Sequence, residues 1–409
     1  MWQPLLADAS QAELRSIVLV LAASATAAIL SRLHSRLVLP AVVLEVILGI
    51  LIGPQVLSIA HPNQPLAFLS DVGLSFLFFF AGIEVVEQKV PRSSLQRGTE
   101  GWVISLVIGL IAGYALHAAG VDGEGWLLGI ALATTALGTL VPIMADAGLL
   151  PTGLGAAVLG TGVAGEFWPI VVISVFLTGV YGAATEVILL FAFGGIVVVA
   201  AWAALRARPP RVLHVLQETV HTTGQAAVRL SVLLLAALVL LARAVGFDYV
   251  LGAFAAGLVV GLALDSPEGK NVQTRLEGIG FGFVIPIYFV VTGLTFDLDG
   301  LLTPGGLALG LLFLTLLFVV RGLPAVLWLR ELGLRETTSL AFFGATALAL
   351  IVAIVTIGQQ RGAISDTVGA ALIGAGMISV LVFPIVGTRI AAGKKAEAEI
   401  PELPPAQEF

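Results

Sequence analysis

The sequence contains no cysteine and few charged residues. Of its 409 residues, 11% are Asp, Glu, Lys or Arg and 58% are hydrophobic, and the mean hydropathy is +1.05. The absence of cysteine excludes disulfides and thiolate metal sites. Soluble domains carry about 25% charged residues, so this composition predicts a membrane protein. The net charge of −6 is small for this length and gives no sign of a nucleic acid partner.

Several signatures of enzymes and of ATP-driven transporters are also missing. The sequence has no phosphate-binding P-loop, which argues against ATP-driven transport within this chain. Its five histidines lie at segment ends or in loops and show no metal-ligand spacing. No Ser-His-Asp arrangement can be argued, so we expect a protein that is not an enzyme and needs no cofactor. Residues 1–13 hold no Lys or Arg, and we expect no cleavable signal peptide.

Long apolar runs fill most of the chain. A membrane-spanning helix needs roughly 20 apolar residues, and this length predicts about thirteen helices. The predicted ranges are 15–33, 38–58, 66–86, 101–119, 125–146, 153–180, 186–205, 226–244, 248–265, 279–296, 302–329, 337–358 and 364–388. We therefore predict an all-α polytopic membrane domain over residues 1–392. The short polar, proline-rich tail at 393–409 is expected to be disordered.

Basic residues are concentrated in alternate connections between these predicted helices. The basic connections contain Arg32, Arg36, Lys89, Arg92, Arg97, Arg206, Arg208, Arg211, Lys270, Arg275, Arg330 and Arg335. The opposite connections contain the acidic residues Asp122, Glu124, Asp297 and Asp299. The positive-inside rule then places the N-terminus outside and the C-terminus in the cytoplasm, across the inner (plasma) membrane of the cell. This arrangement requires an odd number of helices.

The two halves of the chain resemble each other. Four pairs of segments match in the same order at offsets between 208 and 214 residues. The pairs are EVILGILIG (45–53) with AFAAGLVVG (253–261), FFAGIEV (79–85) with VVTGLTF (290–296), TTALGTLVPI (134–143) with ATALALIVAI (345–354), and GAAVLGTG (155–162) with GAALIGAG (369–376). Matched helices are seven apart in the predicted order, and an odd separation reverses their direction. The pattern predicts an inverted-topology repeat, although small residues also favour helix packing in membranes generally.

Two corresponding predicted helices, at 125–146 and 337–358, contain residues that disfavour a continuous helix. The first holds Thr134, Thr135 and Pro142, and the second holds Gly344 and Thr346. Unwound backbone inside a membrane is tolerated where it lines a cavity or is covered by protein. Its carbonyl groups and half-helix ends can then bind an ion or stabilise a charge. We expect these two helices to be discontinuous.

Four ionisable residues, Glu45, Glu84, Glu166 and Arg321, lie within the predicted spans. A charge at a helix centre costs about 2.5–3.5 kcal/mol on insertion scales, so such residues are functional candidates. Glu166 lies near the middle of its span, next to Gly165. A carboxylate can hold a proton or a small cation but seldom both, and this competition would couple two fluxes. The alternative is that Glu166 only pairs with a basic residue and joins helices.

The other three charges allow more than one interpretation. Arg321 stays protonated at any working pH and can neutralise half-helix C-terminal ends or pair with a carboxylate. It can also extend towards water, since Arg330 lies only about 13 Å further along a helix. Glu45 is a candidate for the ion pathway or for helix packing. Glu84 is expected at a solvated helix end.

Three segments carry a resemblance to a known family. LPAVVLEVILGILIGP (39–54), FLFFFAGIEV (76–85) and PIYFVVTGLTFDL (286–298) occur in this order. They resemble signatures of the Kef-type (cation:proton antiporter-2) branch of the monovalent cation/proton antiporters, over about residues 15–390.

The resemblance implies the sodium/proton antiporter fold, with two inverted repeats and crossed discontinuous helices. It also implies core helices at about 101–180 and 302–388 that move against scaffold and dimer helices at about 15–86 and 226–296. Lipid and a second copy of the chain are therefore the expected partners.

The resemblance also implies roles for individual residues. Glu166 takes the place of the family's ion-binding aspartate, while the first motif position is Gly165. Thr134 and Thr135 correspond to a polar position on the broken helix and would help to bind the monovalent cation. Arg321 matches the embedded basic residue. Independently of the resemblance, the positions of Glu45 and Thr346 within the predicted spans make them possible pathway residues.

The function implied is exchange of Na⁺ or K⁺ for H⁺ by alternating access, with a role in pH homeostasis. A single carboxylate that exchanges one proton for one monovalent cation moves no net charge, so electroneutral exchange is predicted. The alternatives are a sodium-coupled symporter of an organic anion on the same architecture, which needs a larger polar cavity, and a channel.

Overall fold

The computed structural model describes residues 11–33, 40–88, 90–176, 192, 194–199, 202, 225–264 and 267–392. Within these ranges the regular elements are helices, apart from one isolated β-bridge between Gly123 and Ile364. The helices are α1 (Gln11–Leu33), α2 (Ala41–Ile52), α3 (Gln64–Glu87), α4 (Arg92–Ala118), α5 (Gly125–Leu132), α6 (Leu137–Asp146), α7 (Gly153–Phe176), α8 (Ala226–Val245), α9 (Tyr249–Ala263), α10 (Pro267–Ile279), α11 (Ile285–Leu294), α12 (Leu298–Leu302), α13 (Pro304–Gly322), α14 (Leu329–Gly344), α15 (Ala349–Gln360) and α16 (Asp366–Ala392). A π-helical turn, Gly280–Val284, joins α10 to α11, and a 3-10 segment, Leu323–Trp328, joins α13 to α14.

The helices form an integral multi-pass membrane domain. In the described part of the chain, 9 helical segments are long and apolar enough to cross a membrane, and α2 and α9 are shorter apolar helices. Each predicted span coincides with one or two of these helices, except the seventh. That span, at 186–205, lies largely outside the described residues, as does the predicted tail at 393–409. The total of thirteen helices therefore stays a prediction.

Side-chain caps begin three of the membrane helices. Asn63 Oδ1 caps α3, Asp248 Oδ1 caps α9 and Thr303 Oγ1 caps α13. Each oxygen accepts a hydrogen bond from a backbone nitrogen of the first helical turn, at 3.0, 3.2 and 3.0 Å. A cap of this kind stabilises a helix by about 1 kcal/mol. Proline follows the cap within the first two positions of α3 and α13, where its missing N–H costs no hydrogen bond.

Both helices predicted to be discontinuous are interrupted. The first breaks between α5 and α6, at residues 133–136, and the second between α14 and α15, at residues 345–348. The two interruptions contact each other, because Ala136 N donates to Thr346 O at 2.8 Å. Each unwound segment thus supplies hydrogen-bond partners to the other, which is how non-helical backbone is accommodated in the interior of a membrane protein. The structure confirms the predicted crossing of broken helices.

Equivalent glycine contacts occur in the two halves of the chain. A Cβ atom on Gly82 would lie 2.3 Å from a carbonyl oxygen of α9, where Gly257 opposes it. The repeat counterparts of this pair are Gly293 and Gly49. A Cβ atom on Gly293 would likewise lie 2.2 Å from a carbonyl oxygen of α2. The packing of α3 on α9 is therefore repeated by α11 on α2, which confirms the internal repeat in three dimensions.

The helices pack into two bundles. The scaffold bundle contains α1, α2, α3, α8, α9 and α11, and the core bundle contains α4, α5, α6, α7, α13, α14, α15 and α16. Helices pack far more extensively within each bundle than between the two, and the most extensive contacts between the bundles are those of α7 with α3 and α9. We name the bundles after their predicted roles. Which bundle moves and which forms a dimer stay predictions.

Candidate functional site

Arg321 lies at the centre of the helix crossing and is only 2% exposed. Its guanidinium group donates to Thr135 Oγ1 at 2.9 and 2.7 Å and to Ser105 Oγ at 3.0 Å. It also donates to two carbonyl oxygens, of Thr161 at 3.1 Å and of Gly344 at 3.3 Å. None of these partners is a carboxylate. Because the guanidinium is buried and bonded on several sides, the snorkelling interpretation of Arg321 is wrong.

The contact with Gly344 has an electrostatic consequence. Gly344 is the last residue of α14, so its carbonyl oxygen lies at the negative end of a half-helix dipole. A fixed guanidinium charge beside it stabilises that helix end inside an apolar environment. Of the two core roles that the sequence left open for Arg321, these contacts favour compensation of the helix end.

Three threonine hydroxyls are engaged at the crossing. Thr135 Oγ1 accepts the two bonds from Arg321 and donates to Gly344 O at 2.7 Å. Thr134 donates to a carbonyl oxygen of α5 at 2.8 Å, and Thr346 donates to a carbonyl oxygen of α14 at 3.1 Å. All three side chains are buried. The structure therefore places these predicted site residues together, and their role in binding the cation stays a prediction.

Gly165 leaves the space that Arg321 occupies. A Cβ atom at this position would lie 2.5 Å from Arg321 Nη2 and 2.6 Å from Thr135 Oγ1. The Gly165 carbonyl oxygen accepts a hydrogen bond from Thr135 N at 3.1 Å. The glycine at the first motif position is thus explained by the arginine that packs against it.

Glu166, one residue further on α7, lines a cavity of about 160 Å³ between the two bundles. The walls include Phe80 and Phe289 from the scaffold bundle and Gly138 and Thr139 from α6. The Oε2 atom of Glu166 is buried and has no hydrogen-bond partner among the described residues. A buried carboxylate oxygen without a partner is costly, so this atom is suited to bind a proton or a cation.

Glu84, which its position predicted at a solvated helix end, lines the same cavity. That expectation is wrong, because Glu84 is half-buried and faces the core bundle. A Cβ atom on Gly138 would lie 3.1 Å from Glu84 Oε2. Position near a helix end suggested exposure to solvent, whereas Gly138 of α6 lies over part of the Glu84 side chain. The sequence signal that could have identified Glu84 is its place in the repeated segment FFAGIEV.

A second cavity of about 260 Å³ continues from this site towards the basic connections. The two cavities share Phe80, Glu84, Gly138 and Phe281 among their lining residues. At the mouth, Gln273 Nε2 lies 3.0 Å from a carboxylate oxygen of Glu87 and 3.0 Å from one of Glu277. An acidic route therefore connects Glu166 with the side predicted to be cytoplasmic.

Glu45 is not brought to this cavity. It is 4% exposed on α2, which packs against α11, and Val42, one turn earlier, is the α2 residue that lines the cavity. Glu45 does not line the Glu166 cavity in this conformation, and its pathway role stays a prediction.

A third cavity, of about 270 Å³, lies beside the N-terminal end of α3 and the C-terminal end of α11, the ends that are remote from Glu84. Its lining residues include Asp71, Thr292, Thr356 and Gln359. Asp71 precedes Glu84 on α3 by thirteen residues, which corresponds to about 20 Å along a helix. The first two cavities thus open towards one side of the membrane domain and the third towards the other.

The chain is similar to known membrane proteins over nearly its whole length. A family model described as "Sodium/hydrogen exchanger, transmembrane" matches residues 20–393. YjbQ of Bacillus subtilis, named as a candidate Na(+)/H(+) antiporter, is 28% identical over 389 residues, which cover 90% of this chain and 61% of YjbQ. The Na(+)/H(+) antiporter of Enterococcus hirae is 25% identical over 370 residues, covering 87% of this chain and 93% of that protein.

The fold is similar to a solved structure. The sodium proton antiporter MjNhaP1 from Methanocaldococcus jannaschii superposes with a TM-score of 0.67 at 21% sequence identity. The match covers 93% of this chain and 98% of the other. At this identity the likeness establishes the shared architecture.

Proposed function

Because the chain belongs to the sodium/hydrogen exchanger family, we propose that it exchanges a monovalent cation, Na⁺ or K⁺, for H⁺, with Glu166 as the shared binding site. The observation that carries this proposal is the buried Oε2 atom of Glu166, which has no partner among the described residues and lines a cavity between the bundles. Two carboxylates on apolar walls would repel an organic anion. The cavity therefore gives no support to the symporter alternative.

Glu166 and Glu84 have different tasks in this proposal. Glu166 lies on α7 of the core bundle, whereas Glu84 lies on α3 of the scaffold bundle. When the core bundle moves past the scaffold bundle, only Glu166 travels with it. Glu84 remains at the inner cavity and attracts the cation. One carboxylate that crosses protonated in one direction and cation-bound in the other carries no net charge, so exchange is electroneutral with one proton for one cation.

The helix crossing moves with Glu166 as a unit. Arg321 joins α4, α7, α14 and the interruption between α5 and α6 through its hydrogen bonds around the crossing, which keeps the half-helix end compensated throughout the cycle. Thr135 stabilises this crossing through its bonds to Arg321 and Gly344. Thr134 and Thr346 donate to the half-helices that precede them and keep oxygen lone pairs that can contact the cation. Thr139 provides a hydroxyl group in the cavity itself.

The protein functions in the inner (plasma) membrane with its N-terminus outside and its C-terminus in the cytoplasm. The basic connections and the acidic mouth then face the cytoplasm, where the mouth collects cations. A second copy of the chain associates through the scaffold bundle, because a fixed support is needed for the core bundle to move against. The exchange contributes to pH homeostasis.

Reconstitution in liposomes with an internal pH dye tests this proposal. Addition of Na⁺ or K⁺ outside drives proton movement by the wild type. Glu166→Gln abolishes this proton movement, because the neutral amide does not take up a proton and has no negative charge with which to bind a cation. Glu84→Gln retains coupled exchange at a higher cation concentration. Glu100→Gln, at an exposed position on α4, is the matched control and retains wild-type exchange.

The outcomes separate the alternatives. If the Glu166→Gln variant exchanged cations for protons as well as the wild type, the assignment of Glu166 as the shared binding site would be wrong. Cation flux without proton movement would indicate a channel.

A further inference from the structure

Two polar contacts join the bundles beyond the level of the Glu166 cavity, one at the outer end of α15 and one deeper in the interface. Arg361 follows α15 of the core bundle, and its Nη2 atom donates to Oδ2 of Asp248 at 3.0 Å. Asp248 is the N-cap of α9 in the scaffold bundle. Tyr288 on α11 of the scaffold bundle places its hydroxyl 3.4 Å from Thr356 Oγ1 on α15. Both contacts therefore tie the same core helix, α15, to the scaffold bundle.

The ion pair is partly shielded from water. The Asp248 side chain is 6% exposed and that of Arg361 is 42% exposed. Asp248 uses Oδ1 to cap α9 and Oδ2 to bind Arg361, so the scaffold bundle positions the carboxylate and the core bundle supplies the counter-charge. Removal of one partner from a shielded pair leaves the other charge uncompensated.

The tyrosine contact lies between the levels of the inner and outer cavities. Tyr288 is 1% exposed, and its neighbour Phe289 lines the inner cavity. Thr356 lines the outer cavity. The tyrosine ring therefore fills the bundle interface at the point where a path from Glu166 to the outer side would have to open.

The internal repeat shows that these contacts have no equivalent on the inner side. At the offset of 211 residues, the counterparts of Tyr288 and Thr356 are Leu77 and Ala145, and that of Arg361 is Leu150. At the offset of 208 residues, the counterpart of Asp248 is Pro40. None of these four side chains can form a hydrogen bond or an ion pair. The contacts that hold the outer side closed therefore have no counterpart at the equivalent positions of the inner side.

We propose that Arg361, Asp248, Tyr288 and Thr356 form an outer latch that favours the inward-open conformation at rest and that opens in each transport cycle. The proposal rests on the proposed function, since a latch requires the bundles to move relative to each other. A contact made in one of two conformations shifts their populations in favour of that conformation. An asymmetric latch thus biases a carrier built from two similar halves.

The absence of cysteine from the chain allows a direct test. Val141, which lines the inner mouth, is replaced by Cys as the single reporter. Its reaction with a membrane-impermeant maleimide, added from the cytoplasmic side of inside-out vesicles, reports the inward-open population. Arg361→Gln and Tyr288→Phe each remove one contact of the latch. Each is expected to slow labelling by about threefold or more, because the inward-open population falls.

Arg243→Gln is the matched control. Arg243 lies on the same outer side and stacks on the Tyr249 ring at 4.8 Å, a contact within the scaffold bundle. This variant should label at the parental rate. Because Arg361→Gln and Tyr288→Phe remove different contacts, failure of one variant to fold leaves the other as a test.

The results separate the latch from the proposed function. Labelling at the parental rate in the folded latch variants would overturn the latch, whatever their transport. Slower labelling in a chain that exchanges no cation for protons would overturn the proposed function and retain the latch. Slower labelling in Arg243→Gln as well would mean that any change on the outer side has this effect, and would also overturn the latch.

Discussion

Gly165 and Arg321 occupy neighbouring space, so each restricts which residue the other position accepts. The arginine needs the volume that a side chain at position 165 would fill, and it uses that volume to reach Thr135 and the carbonyl oxygen of Thr161. Glu166 follows directly and is left as the one carboxylate of the motif. The chemistry of the site thus depends on a residue that has no side chain.

We predict that Gly165→Ala lowers both stability and transport. Its Cβ atom would lie 2.5 Å from Arg321 Nη2, so the guanidinium or the backbone of α7 has to shift. Overpacking of this kind costs about 1–3 kcal/mol. The measurements are the thermal unfolding of the purified protein and proton exchange in liposomes.

Gly153→Ala, on the same helix, is the control for this prediction. There the nearest atom to an added Cβ lies at 3.6 Å, an ordinary contact distance. Equal behaviour of the two variants would show that Arg321 does not need the space at Gly165.

At the scale of elements, close helix contacts decide how the scaffold bundle is built. Helices in a membrane associate through tight packing and polar contacts, because lipid is as apolar as the helix surfaces. The glycine pair Gly82–Gly257 brings α3 against α9, and Gly293–Gly49 brings α11 against α2 in the same way. Their equivalence follows from the internal repeat. The two discontinuous helices are likewise paired through the repeat and contact each other at their interruptions.

We expect Gly257→Ala and Gly49→Ala to have similar effects. An added Cβ would lie 1.9 Å from the carbonyl oxygen of Phe79 in the first variant and 2.2 Å from that of Val290 in the second. Each variant should lose about 1–3 kcal/mol of stability, measured as a lower melting temperature in detergent.

Gly310→Ala on α13 is the comparison variant for these two. Its nearest neighbours lie at 3.7 Å, and it should melt as the wild type does. A large loss in only one of the two scaffold variants would argue that the repeated contacts are not equivalent.

At the scale of the whole molecule, the structure is asymmetric although its halves are related. The cavities at Glu166 and at the Gln273 mouth open towards the basic side, while α15 contacts the scaffold bundle on the outer side. The two halves of the sequence differ at the positions that make these outer contacts. A carrier with this arrangement has unequal inward-open and outward-open populations.

Electroneutral exchange predicts that membrane voltage does not shift the balance point of transport. One net charge moved per cycle would contribute about 2.3 kcal/mol per 100 mV, which is a factor of roughly 50 in the cation gradient that stops proton flux. With Glu166 as the one travelling carboxylate, we expect no such change. The measurement is the cation gradient at zero proton flux, with the voltage clamped at zero and at about −100 mV.

Liposomes that contain the ionophore but no protein are the control, because they show any proton flux that the voltage clamp itself causes. A shift of the balance point by the full factor would show that a net charge crosses with each cycle, and would direct attention to Glu84 as a second travelling or titrating group.

Much of the fold could be predicted from local pattern. Apolar run length locates the membrane helices, because lipid requires about 20 apolar residues in a spanning helix. The repeat locates the two interruptions, because equivalent segments of both halves contain residues that disfavour a continuous helix. The cost of burying charge singles out Glu166 and Arg321 as candidates. These conclusions depend on properties that neighbouring residues share along the chain.

Contacts between distant segments were decided by the tertiary structure alone. Glu84 looked solvated because it ends a helix, but α6 and α7 lie across the cavity from it. Thr135 was expected to bind the cation, yet Arg321, 186 residues further along the chain, already holds its hydroxyl. Side-chain hydrogen-bond partners and cavity walls come from helices whose spatial order the hydropathy pattern does not encode. The sequence by itself therefore determined where the helices run and which ionisable residues lie within them, because run length and the cost of buried charge are local properties, and the packing of the bundles decided what each of those residues faces.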